Sequence, residues 1–343
     1  MGQLAVIRAD ASPTIGGGHV MRCLALANGL RANGWTCLFA CGDETLMTSS
    51  MLTATGHGHV QVPGDLSAAE QARCLRSALP EGADLLVVDH YGLDQDFGLA
   101  CLGWARKILV VDDLANRALM CNILLDQNLG RAAADYDGLV PSACTRLIGP
   151  AFALLGPQFA LAGRPRSRSG PVRRAAVSMG LTDPWDVTSK AIQALQAACP
   201  DTSIDVALGS RSANAAKVGA LAADDPDKVH LYLDCGNMAA FYALADIAVG
   251  AFGVSSWERC SMGLPSIGVI TADNQRVAAA ALAQEGAVLL AGEAAVVSID
   301  DLVAHLNVLC SDAEARATIA DRACRICDGH GVARILAALE SNP

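Results

Sequence analysis

The sequence predicts an α/β protein built from two Rossmann-like, doubly wound domains with parallel sheets. Three observations carry that prediction. Short, wholly apolar runs alternate with helix-period runs almost from end to end, as in sheets covered on both faces. The rhythm breaks at the Arg/Pro/Ser/Gly stretch Gly163–Pro171 and then restarts. The 343 residues suffice for two buried cores, and 52% are hydrophobic against 17% charged.

Expected strands in the first half are Leu4–Ile7, Cys37–Ala40, Leu85–Asp89, Ile108–Asp112, Ile123–Asp126 and Arg146–Gly149. Helices are expected at Val20–Ala32, Ala68–Ala78 and Phe97–Ala105. In the second half the strands are Ala175–Gly180, Ile204–Leu208, Val229–Leu233, Ile247–Ala251 and Ser266–Ile270. Val187–Ala198, Met238–Ala245, Ser256–Met262 and Gln275–Gln284 are the helices, and Asp300–Glu340 reads as wholly helical. The domains are therefore drawn at residues 1–162 and 172–343, joined by a linker at 163–171. Right-handed crossovers make each domain doubly wound. Ligands are then expected at loops following the strands and in a cleft between the domains.

Composition excludes several classes. A net charge of −10 argues against a nucleic-acid surface. Five arginines crowd into Arg164–Arg174, which reads as a solvated interdomain linker. The thirteen cysteines lie mostly singly in apolar runs, as small buried hydrophobes, and argue against a disulfide scaffold. Cys324–Cys327 forms a lone CxxC without a second pair, so no metal is expected. No apolar run reaches the roughly 18 residues of a membrane span. The opening MGQLAVIRADAS lacks a signal-peptide pattern, so no membrane insertion and a cytoplasmic location are expected.

Chemistry concentrates at strand ends. In RADASPTIGGGHV a strand runs through Asp10 into Gly16, Gly17 and Gly18, then into a helix opened by His19. Glycines at such a turn let backbone N–H groups approach an anion, although the spacing is neither GxGxxG nor a P-loop. His19 is either a base, with an ordinary pKa of about 6.5, or a structural residue of the first turn. VVDHYG ends a strand in Asp89, His90 and Tyr91, where ligand contacts or turn caps both belong. Asp112 and Asp113 in VVDDLANR are a metal pair or partners for Arg117 and water.

In SMGLTDP, Gly180 permits close approach, Thr182 or Asp183 can N-cap, and Pro184 suits a first turn. That is a plain helix start or a diphosphate cradle. GAFGVSSWERC offers Ser255 and Ser256 at a helix start for phosphate oxygens, with Glu258 a turn further for ribose hydroxyls. TADNQ ends the next strand with Asn274 and Gln275, whose amides suit sugar hydroxyls.

Together, RADASPTIGGGHVMRCLALA, VVDHYG, VDDLANR, LLDQN, GVSSWERC, GLPSI and ADNQ resemble the PseG family in matching order. These are UDP-2,4-diacetamido-2,4,6-trideoxy-β-L-altropyranose hydrolases of pseudaminic acid biosynthesis. The second half is also similar to the nucleotide-binding half of MurG-type GT-B glycosyltransferases. The resemblance implies a GT-B fold and metal-independent hydrolysis at the sugar anomeric carbon, without a cofactor. It makes His19 the base that activates water, with Tyr91 in the same pocket. It implies that Glu258 holds ribose, and that Gly180, Thr182 and Asp183 with Ser255 and Ser256 surround the diphosphate. Backbone groups from Leu233 to Met238 would meet uracil. Asp10, Gly16 to Gly18, Asp89, His90, Asn274 and Gln275 would face the sugar. Partners would be the UDP-sugar and other enzymes of sialic-acid-like sugar synthesis.

The chain departs from the family pattern at Leu119, Asn122, Gly156, Gln158 and Leu181, which bears on sugar selectivity more than on UDP binding. Two alternatives stand beside hydrolysis: a GT-B glycosyltransferase using a UDP-sugar donor, and a non-catalytic nucleotide-sugar-binding protein.

Overall fold

The computed structural model describes residues 2–12, 16–161, 168 and 170–341. The chain divides into two compact units, Met1–Gly156 with His330–Pro343, and Pro157–Gly329. The first holds seven strands: β1 (Leu4–Ala9), β2 (Thr36–Cys41), β3 (Gly58–Gln61), β4 (Ala83–Asp89), β5 (Ala105–Val111), β6 (Ile123–Asp126) and β7 (Thr145–Ile148). They form one parallel sheet in the order β3-β2-β1-β4-β5-β6-β7. The second unit holds β8 (Arg174–Ser178), β9 (Ser203–Leu208), β10 (Val229–Leu233), β11 (Ile247–Ala251), β12 (Ser266–Ile270) and β13 (Leu289–Glu293). Their order is β10-β9-β8-β11-β12-β13, again all parallel. Strand order reverses between β1 and β4 in one sheet and between β8 and β11 in the other. Those switch points are where doubly wound sheets bind ligands.

Side-chain alternation assigns each strand residue to a face. Ala5, Ile7, Leu85, Val87, Leu109, Val111, Ile123 and Leu125 pack with helix Gly18–Ala32 on one face of the first sheet. Val6, Leu86, Val88, Ile108, Val110 and Leu124 pack on the other, with Leu75, Phe97 and Tyr136. The same parity continues past the apolar part of each strand. It places Asp89 and Asp113 on the helix Gly18–Ala32 face, and Arg8, Asp10, His90, Asp112 and Asp126 on the other.

Three differences from the expected elements have physical causes. The two added strands, β3 and β13, are sheet edges, and the largely exposed GHVQ lacks the apolar signature of a strand buried on both faces. The expected helix Phe97–Ala105 runs only over Gln95–Cys101, because Gly103 turns the chain with φ 74° and Ala105 begins β5. The helical tail divides into Ile299–Ser311, Ala313–Ile326 and Gly331–Ser341. The last of these belongs to the first unit rather than to the second. Ile335 and Leu339 join the first core, and Gly29 makes room for Val332, which a Cβ there would strike.

Most of the expected linker 163–171, and with it Arg164 and Arg166 of the arginine-rich stretch, lies outside the described residues. Arg168 corrects the reading of a solvated stretch, being only 5% exposed. Its guanidinium donates to the carbonyls of Ala245, Met262 and Gly263 at two helix C-termini. Arg316 does the same for Leu309 and also donates to the Arg168 and Gly170 carbonyls. Helix C-terminal carbonyls lack intrahelical donors and carry partial negative charge, so buried guanidinium groups satisfy both needs. Cys199 and Cys310 form a disulfide, and the Cys121 and Cys144 sulfurs lie 3.5 Å apart, so both pairs depart from the reading of the cysteines as isolated hydrophobes. Among the described residues, no helix is long and apolar enough to cross a membrane.

Candidate functional site

At the β1/β4 switch point of the first unit, strand parity delivers Asp89 to the start of helix Gly18–Ala32. His19 Nδ1 lies 2.6 Å from Asp89 Oδ1. Arg22, one turn later, grips the same carboxylate through Nε at 2.6 Å and Nη2 at 2.7 Å. It also reaches Asp113 through Nη1 at 3.1 Å. Tyr91 packs edge-on against His19, with ring centroids 4.7 Å apart. Burial alone would raise the Asp89 carboxyl, but Arg22 and His19 hold it well below the usual carboxylate range. Burial and the nearby Asp113 push the Tyr91 hydroxyl well above its ordinary value.

An ionised Asp89 accepts only, so His19 Nδ1 carries the proton between them. The tautomer so defined leaves Nε2 with a lone pair. The His19 side chain remains 10% exposed.

On the opposite face, Asp10 is held by Arg8, His90 and Thr45 rather than standing free. Arg8 Nη2 donates at 2.7 Å, Thr45 Oγ1 at 3.2 Å, and His90 Nε2 lies 3.2 Å away. The Gly92 N–H donates to His90 Nδ1, so His90 offers Nε2–H to Asp10. Against the raising effect of burial, His90 and Arg8 hold Asp10 well below the usual range. Of the three loop glycines, Gly16 has φ 78°, and a Cβ on Gly16 or Gly18 would meet nothing within 4 Å. Gly17 is the residue before the helix. Of the possible metal pair, Asp112 is satisfied by Arg117 at 2.7 Å and by Tyr136, whereas Asp113 accepts from Arg22 through Oδ2 and its buried Oδ1 has no hydrogen-bond partner among the described residues.

In the second unit, Gly180 takes φ 91° just beyond β8. Asp183 turns back, accepting from the Val187 and Thr188 N–H groups at 3.1 and 2.8 Å, so its carboxylate caps helix Val187–Ala198. The Thr182 carbonyl accepts from Ser212. Leu233 is exposed at the end of β10, and Met238 opens helix Met238–Leu244. Ser255 donates to the Ala251 carbonyl at 3.3 Å. Ser256 Oγ accepts from the Gly253 N–H at 3.3 Å. Half-buried Glu258 has its carboxyl pushed up to about 7 by burial, against the pull of Arg259. Gln275 folds onto Thr271, accepting from its N–H at 2.8 Å, beside half-buried Asn274.

Arg8, Arg22 and Arg259 escape the motif reading. Arg22 lies three residues after His19, the spacing that shares a helix face, and Arg8 lies two before Asp10, the spacing that shares a strand face. Arg259 carried no comparable signal, since its neighbour Glu258 supplied the obvious ribose contact.

No protein-family model matches the chain. Over 150 residues it is 31% identical to a UDP-2,4-diacetamido-2,4,6-trideoxy-β-L-altropyranose hydrolase of Campylobacter jejuni, covering 43% of this chain and 50% of that protein. The chain thus spans half the length of that relative. It is 24% identical to the spore coat polysaccharide biosynthesis protein SpsG of Bacillus subtilis, covering 97% of each. Among solved structures, Acinetobacter baumannii MurG matches with a TM-score of 0.65 and 15% identity over 99% of both chains. A glycosyltransferase of kitacinnamycin matches at 0.66 with 20% identity, over 99% of this chain and 98% of that one. The fold is therefore that of the GT-B glycosyltransferases, two Rossmann-like units with parallel sheets.

Proposed function

We propose that the protein hydrolyses a UDP-linked 2,4-diacetamido-2,4,6-trideoxy sugar at its anomeric carbon, releasing UDP and the free sugar. The observation that carries this reading is the His19–Asp89 pair, 2.6 Å apart at a sheet switch point. The similarity to a hydrolase of that substrate supplies the chemistry to which the pair is matched.

In this scheme His19 Nε2 takes a proton from water as the water oxygen attacks the anomeric carbon. The bond from that carbon to the diphosphate oxygen breaks, and UDP leaves with the electron pair. Asp89 holds the imidazolium that forms, and Arg22 fixes Asp89. UDP is a good leaving group, so one base suffices where ordinary glycosidases need two carboxyl groups. Tyr91, Asp10, His90 and the Gly16–Gly18 loop are the sugar-side contacts, with Asn274 and Gln275. Gly180, Thr182, Ser255 and Ser256 take the diphosphate, Glu258 the ribose, and the stretch from Leu233 to Met238 the uracil. Asp183 contributes through its cap, which fixes the Gly180 turn.

A product assay with several UDP-diacetamido sugars, in chelator and without an acceptor, tests the reading. Equal amounts of UDP and free sugar are expected, and proton NMR of the fresh product should give an inverted anomer, as a single displacement requires. Turnover that appears only when an acceptor is added makes the protein a glycosyltransferase instead. Tight UDP binding with no turnover on any of these sugars makes it a binding protein.

A further inference from the structure

We propose that Arg259 is a buried positioning cation that tunes the start of helix Val254–Ser261 for the nucleotide diphosphate. The inference rests on the UDP assignment above and deepens it, because the GVSSWERC motif that contains Arg259 gave this residue no role.

Arg259 is 2% exposed. Its Nη2 donates to the Ala251 carbonyl at 2.8 Å and to Ser256 Oγ at 3.4 Å. Its Nε and Nη1 are buried and have no hydrogen-bond partner among the described residues. No carboxylate lies within ion-pair distance of it among those residues. A buried charge left this way is costly, and structures keep one where something offsets the cost. The sheet is hollowed to admit it: a Cβ on Gly250 of β11 would collide with Nη1 and would also crowd the Ser178 carbonyl of β8. The guanidinium thus lies between the strands that flank the switch point of the second sheet, aimed at the first turn of the helix that follows β11.

Two consequences favour an anion. The cation adds a full charge to the partial positive charge of the helix start. It also changes what the serines can do. Ser256 Oγ, in a residue only 4% exposed, already accepts from Gly253 N–H and Arg259 Nη2, so its hydroxyl proton is left free to donate. Ser255 spends its proton on the Ala251 carbonyl. Ser256 is therefore the serine that donates to a phosphate oxygen, and Arg259 sets that direction. Arg259 itself, being enclosed, acts through Ser256 and through its field.

The test is titration calorimetry of the full-length protein with UDP and with uridine, for wild type, Arg259→Met, Arg259→Lys and Ser256→Ala, with a thermal melt of each. Arg259→Met should weaken UDP by about tenfold or more, the worth of a charge-assisted contact, and leave uridine nearly unchanged. Arg259→Lys should recover most of the loss. Equal weakening of UDP and uridine, or UDP binding as in wild type, overturns the inference. If Arg259→Met fails to fold, Ser256→Ala decides: selective loss of UDP supports the inference and unchanged UDP binding overturns it. Wild-type protein that binds UDP no better than uridine overturns the nucleotide reading itself, a separate outcome.

Discussion

His19 and Asp89 lie 70 residues apart in the chain, and adjacent parallel strands bring them within a hydrogen bond. Removing the base by His19→Ala should lower kcat by about 10²–10⁴-fold with the melting temperature kept, the usual range for a general base. Retained turnover by a folded variant would eliminate the base assignment. Asp89→Asn should do more than lower the rate. An asparagine amide facing Arg22 removes one of its two carboxylate partners, leaving Asp113 at 3.1 Å, which costs about 1–3 kcal/mol in urea denaturation. Glu258 makes a pH-dependent prediction. Its carboxyl is raised to about 7, so its contribution to stability is full below the ordinary value near 4.5 and is lost as pH rises through 7. The melting temperature of Glu258→Gln should therefore gain on wild type between pH 5 and pH 8. A constant difference across that range would show that Glu258 is not buried as described.

Strands and helices differ in how far their sequences betrayed them. Central parallel strands such as LLVVD and ILVVD are apolar throughout because both faces are covered, and they were legible at once. Edge strand β3 carries His59 and Gln61 at exposed positions, where no apolar run is required. The site was legible as separate residues and not as a constellation. From the sequence alone Asp10, Asp89 or Asp113 could orient His19, and only strand order together with side-chain parity decides among them. Arg22 needed the further knowledge that Asp89 faces that helix. At this scale Asp183 offers a clean test, since it caps helix Val187–Ala198 from φ 39°. Asp183→Ala should cost about 1–2 kcal/mol in chemical denaturation, while Asp183→Asn, which keeps an acceptor and tolerates that backbone, should cost less. Equal losses would argue that the carboxylate charge, rather than the cap, matters.

Across the whole molecule, two buried arginines and one terminal helix do the work of closure. Arg168→Ala would strand the carbonyls of Ala245, Met262 and Gly263, and should destabilise the second unit by about 3 kcal/mol or more. A calorimetric trace in which its melting temperature is unmoved would refute that role. The terminal helix Gly331–Ser341 covers helix Gly18–Ala32, and Lys107 Nζ donates to the Leu339 carbonyl at 2.7 Å. Because this helix follows the second unit in the chain, the order of synthesis differs from the order of completion. The ribosome releases every residue of the second unit while the first still lacks its closing helix. Folding of the first unit must then wait, with part of its apolar face bare, until this helix has emerged.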